Sequence, residues 1–453
     1  MGTIASLVLS KGDKVTGSDI KENAMILSLR EQGAQIVIGH NKENLSDVDY
    51  VVYSSAVKKD NPEIIEAERK KISILKRAEL LAHLMDHHIE ITVAGSHGKT
   101  TTTSMISHML IQAGLEPTTA VGGLINGPSY HAKLGEGKYF VSEVDESDGS
   151  FLFFHPRYSI ITNIDFEHVD YYHNWENILH AYRTFIEQTN KKGTIIACGD
   201  DEKLAALLSG TKKHYITYGL RQGLDFRAED IIHKNSSIMF NCFSKGKKLG
   251  KVHLACVGKH NVLNALACIC LGLELKIDFK IIQSSLQSFH GVSRRFQHKG
   301  CMNDIDVFDD YGHHPTEIKA TLETAQALKK KRLITIFQPH RYSRTKALLN
   351  EFVIALQNTD VLIMTDIYAA SEEAIAGVTA EKLCKLIQNS GFKEVHYCKK
   401  KDIVTFLEEQ VNPGDLILTL GAGDIYTIGD QFLNILTQEN NRCCFSKIKK
   451  TDA

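Results

Sequence analysis

Short apolar runs alternate along the chain with stretches in which apolar residues recur at helical spacing. Residues 1 to 9 have the pattern of a helix, and β-like runs follow at Lys14 to Gly17, Gln35 to Gly39 and Tyr50 to Ser54, with helical stretches between them. Strands that alternate with helices are typical of a parallel sheet covered by helices. The start of the chain is therefore predicted to form an α/β unit.

The clearest transition from strand to helix lies in residues 89 to 113. Residues 89 to 94 form a short apolar run, and the apolar residues from Met105 to Leu110 have helical spacing. Between them lies the sequence Gly-Ser-His-Gly-Lys-Thr-Thr, residues 95 to 101, which we call the phosphate loop. Unpaired backbone N–H groups and the positive end of a helix dipole converge at such a turn. The pattern predicts an anion-binding turn.

Within the phosphate loop, Lys99 is placed to reach the outer phosphates of a nucleotide, and the hydroxyl of Thr100 to meet Mg²⁺. Only Ser96 and His97 separate the two glycines, so the loop is shorter than the G-x-x-x-x-G-K-[ST] pattern. A glycine turn before a threonine-rich helix cap is the structural alternative.

Two further regions follow. A β-rich patch from Tyr215 to Leu254 contains a hairpin pattern around the basic turn at residues 245 to 248. From Arg294 onward a third α/β rhythm appears. Its predicted strands are residues 305 to 311, 332 to 337, 360 to 366 and 415 to 421. Together with a boundary near residues 85 to 88, these changes predict three domains: 1–87, 88–292 and 293–453.

Composition narrows the class of protein. A chain of 453 residues is long enough for two to four domains of about 150 residues each. A net charge of -1 gives no electrostatic reason to expect nucleic acid or an anionic membrane as partner. Apolar runs stay short of the roughly 20 residues that span a bilayer, so a cytoplasmic protein without membrane insertion is expected. The ten cysteines at irregular spacing favour reduced thiols.

Carboxylates are concentrated after the predicted strand that begins at residue 139. They are Glu143, Asp145, Glu146 and Asp148. Carboxylate oxygens are hard ligands that suit Mg²⁺, although a solvated acidic loop is an alternative. His168 follows the next predicted strand and could complete a metal site or orient a water molecule.

Two further motifs carry basic or amide side chains. One lies at the start of the apolar helix that contains Cys268, and the other lies at the start of the third region. His260 and Asn264 offer hydrogen-bonding groups suited to an adenine edge, although capping of the helix by Asn261 is an alternative. Arg294 and Arg295 present two adjacent guanidinium groups, which suit a polyphosphate.

Polar loops follow two strands of the third region. One carries Tyr311 and His313, and the other carries Arg341 and Arg344. Loops at strand ends are where α/β proteins place ligands, so both motifs are expected at one crevice. The arginines could clamp a carboxylate, and an attacking amine would need a neighbouring base. The glycine turn that begins at Gly421 could equally be structural.

Eight motifs occur in a fixed order that resembles the Mur ligases: GSHGKTTTT, EVDESDGSF, NIDFEHVDYY, GKHNVLNA, SRRF, DDYGHHPTE, FQPHRYSRT and LTLGAGDIY. The resemblance covers essentially the whole chain. It implies an α/β fold of three domains: an N-terminal Rossmann-like domain that binds a UDP-sugar, a central P-loop-type ATPase with a parallel sheet, and a C-terminal Rossmann-like domain that brings the amino acid.

The particular forms of the motifs imply a ligase that joins L-alanine to the carboxylate of UDP-N-acetylmuramate in peptidoglycan precursor synthesis. The implied cofactors are ATP, cleaved to ADP and phosphate, and Mg²⁺. In the implied reaction the carboxylate attacks the γ-phosphate, and the amine of alanine then displaces phosphate from the acyl phosphate. Such chemistry depends on charge neutralisation more than on a covalent nucleophile of the protein.

The resemblance also implies roles for single residues. The implied ATP contacts are Gly95, Ser96, His97, Gly98, Lys99, Thr100, Thr101, His260, Asn264 and Arg295. The implied metal ligands are Thr100, Glu143 and His168. The implied catalytic residues are Lys99, His168, Tyr311, His313, Arg341 and Arg344. Positions near the UDP-sugar are Asp19, Ser54, Ser55 and Arg77.

One departure from the family concerns the N-terminus. Mur ligases normally open with a strand and a G-x-G-G-x-G-M turn for the UDP diphosphate, and by this comparison the sequence given begins just after that turn. The expectation is weak binding of the UDP-sugar and an exposed edge in the first sheet. Two alternatives remain: a ligase that attaches a whole tripeptide to UDP-N-acetylmuramate, and a catalytically impaired nucleotide-binding homologue.

Overall fold

The computed structural model describes residues 1–122, 132–234, 237–392 and 394–451. The chain divides into two compact units. The first contains Met1–Ile232, Met239–Ala255 and Asn261–His290, and the second contains His233–Ile238, Cys256–His260 and Gly291–Ala453.

The first 87 residues alternate helices and strands, as predicted. The elements are α1 (Gly2–Ser10), β1 (Thr16–Asp19), α2 (Ala24–Glu31), β2 (Gln35–Ile38), β3 (Tyr50–Tyr53), α3 (Pro62–Lys70), β4 (Ser73–Lys76) and α4 (Arg77–Met85). The strand β4 was not predicted, because Ile74 and Leu75 alone make too short an apolar run. The strands are parallel, but within the described residues they form two separate pairs, β1 with β2 and β3 with β4, where one sheet was expected.

The helix α1 confirms the helical pattern at the start of the chain. Its residues Ile4 and Leu7 are 3% and 1% exposed. They belong to the same apolar cluster as Leu81 and Met85 of α4. Burial of these side chains stabilises the helix against the first unit, at about 25 cal/mol per Å² of apolar surface.

The central region contains the predicted strand and helix around the phosphate loop and the predicted β-rich patch. Its elements are β5 (Ile89–Ala94), α5 (Lys99–Gln112), β6 (Thr118–Ala120), β7 (Ala132–Lys133), β8 (Tyr139–Glu143), β9 (Tyr158–Ile161), α6 (Val169–Tyr172), α7 (Trp175–Gln188), β10 (Thr194–Cys198), α8 (Glu202–Ser209), β11 (Tyr215–Gly219), β12 (Phe226–Lys234), β13 (Ser237–Ser244), β14 (Lys247–Leu254), α9 (Lys259–Glu274) and α10 (Phe279–Gln287).

The order of the central sheet brings three strand ends together. It runs β14-β13-β12-β11-β10-β9-β5-β8-β6-β7, so β5 lies between β9 and β8 and is parallel to both. The register pairs Val93 with Glu143 and Ala94 with Ile161. The phosphate loop, the acidic segment after β8 and the segment after β9 therefore leave the sheet at one edge.

The helix α9 is apolar on all sides, and it is buried accordingly. Cys268 and Cys270 are both fully buried within it, as the apolar run predicted.

The C-terminal region forms a second sheet. Its elements are β15 (Gln297–Met302), β16 (Ile305–Asp310), α11 (Pro315–Ala327), β17 (Arg332–Phe337), α12 (Tyr342–Ala347), α13 (Leu349–Ala355), β18 (Val361–Met364), α14 (Ala380–Asn389), β19 (Val395–Tyr397), α15 (Ile403–Gln410), β20 (Asp415–Leu420) and α16 (Tyr426–Thr451). The four predicted strands are confirmed. The strand β15 is mostly polar and β19 has three residues, so neither gave a recognisable apolar run.

The strand order of this sheet is β15-β16-β20-β17-β18-β19, and all pairs are parallel except β15 with β16. Leu420 is in register with Asp310 on one side and Phe337 on the other, and Phe337 is in register with Met364. The loops after β16, β20, β17 and β18 consequently share one edge. No helix in the described part of the chain combines the length and apolar character needed to cross a membrane.

Candidate active site

The phosphate loop begins and turns at glycines that no other residue could replace without a clash. Gly95 has φ of 128°, and a Cβ there would lie 2.1 Å from Thr162 Oγ1. Gly98 has φ of 82°, and a Cβ there would lie 2.7 Å from Asn264 Oδ1. Both angles lie in the region that L-residues rarely adopt. The loop is thus packed directly against β9 and α9.

The segment after β9 fixes the shape of the phosphate loop. Asn163 Oδ1 accepts a hydrogen bond from the backbone N–H of His97 at 2.9 Å, and Asn163 Nδ2 donates to the carbonyl of His97 at 3.0 Å. The backbone N–H of Asp165 donates to Ser96 Oγ at 2.8 Å, and Asp165 Oδ2 lies 3.0 Å from His97 Nε2. Sequence reasoning missed Asn163 and Asp165, although polar residues directly after a strand that neighbours β5 were a usable signal.

Lys99 is held inside the loop. Its Nζ donates to the carbonyl of Gly95 at 2.6 Å and to Glu146 Oε1 at 2.7 Å. Burial, the largest single influence, would lower the pKa of Lys99, but the carboxylates of Glu146, Asp145 and Glu167 together outweigh it and keep the pKa above its usual value. Lys99 therefore carries its positive charge at the start of the helix α5.

Glu146 is the most buried carboxylate of this site, with 2% of its surface exposed. Its Oε2 has no hydrogen-bond partner among the described residues, and its backbone carbonyl accepts from the hydroxyl of Tyr172 at 2.5 Å. Sequence reasoning named Glu146 only as one of several carboxylates. An ion pair with Lys99 could not be read from residues 47 positions apart.

The predicted metal ligands lie in two neighbouring groups of contacts. Thr100 Oγ1 donates to Glu143 Oε2 at 2.8 Å. His168 Nε2 lies 3.5 Å from Glu146 Oε1 and 3.8 Å from Glu167 Oε2. The ligand atoms of Glu146, Glu167 and His168 all lie within 4.8 Å of one another.

These donors fit a divalent cation. Carboxylate oxygens dominate the set, and a buried carboxylate oxygen without a partner is a group that a cation would satisfy. His168 has φ of 56°, a left-handed backbone conformation that histidine adopts more often than most residues other than glycine.

The predicted adenine contacts belong to different parts of the structure. Asn264 is 5% exposed, and its Nδ2 donates to Asn261 Oδ1 at 3.1 Å. Asn261 lies inside α9, not at its N-cap, so the capping alternative is wrong. His260 is a residue of the second unit. Burial and the charge of Arg295 lower the pKa of His260 to about 4, so its imidazole is neutral at pH 7.

The positions predicted to lie near the UDP-sugar lie at the end of a strand or just after one. Asp19 ends β1, Ser54 and Ser55 follow β3, and Arg77 begins α4 directly after β4. Arg77 Nη2 lies 3.8 Å from Asp145 Oδ2. Burial alone would raise the pKa of Asp145, but Lys99 and its other partners lower it below its usual value. A salt bridge therefore joins the predicted sugar-binding arginine to the acidic segment after β8.

In the second unit, rings and guanidinium groups from two strand ends lie in contact. Arg295 lies over the ring of Tyr311, 5.1 Å from its centroid, and Tyr311 contacts His313 edge-on at 5.6 Å. His313 in turn contacts His340 at 5.6 Å, and Arg344 Nη1 lies 3.3 Å from His340 Nδ1. The predicted residues after β16 and β17 are thus brought together, with His340 between them.

Both imidazoles of this group are neutral. Burial, assisted by the positive charge of Arg344, lowers the pKa of His313 to about 3 and that of His340 to about 4. His313 Nδ1 lies 3.1 Å from the carbonyl oxygen of Tyr311, which can only accept. The proton is therefore assigned to Nδ1, and Nε2 is left as an acceptor.

Arg294 and Arg341 have structural contacts of their own. Arg294 bridges β16 and β20, because its Nε donates to Asp309 Oδ2 at 3.2 Å and its Nη2 to the carbonyl of Gly421 at 2.7 Å. Arg341 has φ of 70°, and its backbone N–H donates to the carbonyl of Tyr368 at 2.8 Å. Tyr368 follows β18 and was not singled out by sequence reasoning.

Family models cover most of the chain. Residues 1–89 match a model described as "Mur ligase family, catalytic domain", residues 93–272 match "Mur ligase middle domain", and residues 294–423 match "Mur ligase, glutamate ligase domain".

Similar proteins and structures agree with these models. The UDP-N-acetylmuramate–L-alanine ligase of Geotalea uraniireducens is 45% identical over 437 residues, which cover 96% of this chain and 95% of that protein. The crystal structure of the UDP-N-acetylmuramate-alanine ligase of Thermotoga maritima has a TM-score of 0.84 at 29% identity and covers 97% of each chain. The murein peptide ligase of Psychrobacter arcticus has a TM-score of 0.71 at 25% identity and covers 96% of each.

Proposed function

The chain belongs to the Mur ligase family, as its motifs predicted, and on this premise we propose that it joins L-alanine to the carboxylate of UDP-N-acetylmuramate in an ATP-dependent reaction. The identity to L-alanine ligases over nearly the whole chain favours this member of the family. A cytoplasmic location stays a prediction.

The ion pair between Lys99 and Glu146 is the observation that carries the ATPase part of the proposal. A buried lysine at the start of α5 keeps its charge only because a carboxylate compensates it. A bound phosphate is another anion that could compensate the same charge, since backbone N–H groups at the start of a helix bind anions. Lys99 would then stabilise the charge that develops during phosphoryl transfer.

A metal ion is proposed at the carboxylates beside the loop. The ligands would be Thr100, Glu143 and His168, and Glu146 and Glu167 lie close enough to His168 to share in the site. When bound, Mg²⁺ would neutralise part of the phosphate charge. The chain itself orients the set, because the register of β5 with β8 places Glu143 beside Thr100.

The loops after β16 and β17 are proposed to hold the amino acid and the acyl phosphate. Arg341 and Arg344 supply positive charge for a carboxylate or phosphate, and guanidinium groups bind both with two parallel hydrogen bonds. The neutral His313 leaves Nε2 as an acceptor for the amine of alanine. Tyr311 would hold His313 in that orientation through its carbonyl group.

The proposed function is tested by phosphate release from ATP in the presence of UDP-N-acetylmuramate and one amine at a time. L-alanine, glycine, L-serine and the cell-wall tripeptide are compared. We expect release with L-alanine, and kcat/KM lower by about 10-fold or more for glycine, because one methyl group in a pocket is worth about 1–3 kcal/mol.

The same measurement separates the alternatives. Release that requires the tripeptide and ignores L-alanine would identify a peptide ligase instead. Absence of release with every amine would indicate an impaired homologue, provided that binding of ATP is retained.

A further inference from the structure

The segment after β18 contacts the turn that carries Arg341 and Arg344. We call residues 366–372 the β18 loop and residues 339–344 the arginine turn. The backbone N–H of Arg341 donates to the carbonyl of Tyr368 at 2.8 Å, and the N–H of Tyr368 donates to the carbonyl of Pro339 at 2.8 Å. The rings of His340 and Tyr368 stack with 8° between their planes. The two segments are therefore joined by backbone and by side chains.

A carboxylate also joins these two segments. Among the described residues, it is that of Glu372. Its Oε2 accepts from the backbone N–H of Ser343 at 3.0 Å, and its Oε1 accepts from Ser343 Oγ at 2.6 Å. Partial burial opposes ionisation, but the bonds from Ser343 and the charge of Arg341 keep the pKa of Glu372 below its usual value. Both carboxylate oxygens thus fix one residue that lies between the two arginines in sequence.

The arginine turn needs such support because its backbone is strained. Arg341 has φ of 70°, a backbone conformation in which residues other than glycine are rarely found. Strained conformations persist only when the surrounding structure holds them. The β18 loop can do so because it is itself anchored: the hydroxyl of Tyr397 donates to Asp366 Oδ1 at 2.6 Å.

We propose that Glu372 is a positioning residue for the amino-acid half of the reaction. Through Ser343 it holds the arginine turn in the strained conformation that directs Arg341 and Arg344 towards alanine and the acyl phosphate. The inference rests on the proposed function, which assigns those two arginines. It predicts that a residue outside the motif FQPHRYSRT controls the KM for alanine without affecting the KM for ATP.

The test compares Glu372→Gln with Glu373→Gln in the full chain. Both remove one negative charge, but Glu373 is an exposed neighbour. In Glu372→Gln the negative charge is lost, so the hydrogen bonds with Ser343 are no longer charge-assisted and the attraction to Arg341 disappears. We expect KM for L-alanine to rise about tenfold or more, because small displacements of positioning groups are costly. KM for ATP and the melting temperature should stay near those of the unchanged protein and of Glu373→Gln.

A double variant tells positioning from a general effect on stability. If Glu372 acts through the turn, Glu372→Gln should raise KM for L-alanine clearly less in the Arg341→Ala background than it does in the unchanged protein, because only Arg344 is then left to position. If the fold-changes in KM for L-alanine of the two single variants simply multiply in the double variant, the inference is overturned. If Glu372→Gln does not fold, Ser343→Ala removes one of the two hydrogen bonds and carries the same expectation.

The arginine variants separate failure of this inference from failure of the proposed function. If Arg341→Ala and Arg344→Ala raise KM for L-alanine but Glu372→Gln does not, Glu372 has no positioning role and the proposed function stands. If neither arginine variant affects L-alanine while phosphate release still requires it, the assignment of the arginines is wrong, and the inference falls with it.

Discussion

At the scale of single residues, the environment of a charged group decides whether it serves stability or chemistry. Lys99 and Glu146 neutralise each other in the interior of the first unit. Removing one partner of such a pair leaves the other charge buried and uncompensated, which typically costs about 3–5 kcal/mol. The two roles of Lys99, in the fold and in the reaction, can therefore be separated by substitution.

We predict that Lys99→Ala abolishes amine-dependent phosphate release and also lowers the free energy of unfolding. Adding Glu146→Gln removes the uncompensated charge, so stability should recover by about 2 kcal/mol or more while activity stays lost. Phosphate release and urea unfolding measure the two effects. Near-normal turnover of Lys99→Ala would falsify the assignment of the phosphate loop.

Glu90 gives a second prediction at this scale. Burial, with a smaller contribution from Asp86, raises the pKa of Glu90 to about 7 in the folded state. The unfolded value is near 4.3. Because the folded pKa is raised, the stabilising protonated form is lost as pH rises through about 7. Glu90→Gln keeps a neutral side chain, so it should raise the melting temperature at pH 8 relative to the unchanged protein and have little effect at pH 4.

The matched control is Glu136→Gln, which removes the same charge at an exposed position. At pH 4 and at pH 8 its melting temperature should not exceed that of the unchanged protein. An equal increase in both variants would show that net charge, and not burial of Glu90, is responsible.

At the scale of elements, the two ends of α5 offer a comparison within one helix. Gly98 at its start and Gly114 just after its end both have positive φ, of 82° and 70°. A Cβ at Gly98 would lie 2.7 Å from Asn264 Oδ1, whereas among the described residues no atom beyond the chain neighbours of Gly114 lies within 4 Å of a Cβ there. The backbone cost of an alanine is therefore similar at both positions, and the clash is specific to Gly98.

Gly98→Ala should consequently lose more stability than Gly114→Ala, by about 1–3 kcal/mol, and should bind ATP at least about tenfold more weakly. Equilibrium unfolding and ATP titration measure the two quantities. Similar losses in both variants would mean that the loop can move away from α9 at little cost.

Elements with a strong apolar pattern were predictable from the sequence, and contacts between distant residues were not. Residues 89 to 94 and 332 to 337 were predicted to form strands, and both are strands within those limits. The strand β4 was missed because its apolar run is two residues long. Glu146 was recognised as a carboxylate, but its pairing with Lys99 depends on the neighbouring positions of β5 and β8 in the sheet.

At the scale of the whole molecule, the described histidines with strongly lowered pKa values belong to the second unit. His260, His313 and His340 have pKa values of about 4, 3 and 4, against about 6.5 in an unfolded chain. Unfolding therefore takes up protons below pH 6.5, and the second unit loses stability as pH falls. Asp310, whose pKa burial raises to about 6, and Asp309, whose pKa burial also raises, act in the opposite direction but are two groups against three.

We predict that the second unit unfolds before the first when the pH is lowered from 7.5 to 5.5 in urea. The single tryptophan, Trp175, lies in the first unit, so its fluorescence reports that unit alone, whereas circular dichroism reports both. The two transitions should separate at pH 5.5, with the loss of ellipticity first. Coincident transitions at both pH values would contradict the prediction, and His313→Gln should reduce any separation.

The buried carboxylate of Glu146 has a consequence for the order of ligand binding. It contacts Lys99 and lies within reach of the proposed metal ligands, so it can compensate an ammonium group or a divalent ion. A metal that takes this carboxylate would free the lysine for a phosphate, and a phosphate that takes the lysine would free the carboxylate for a metal. Binding of nucleotide and binding of metal would then be positively cooperative, and each would increase the affinity for the other by the same factor.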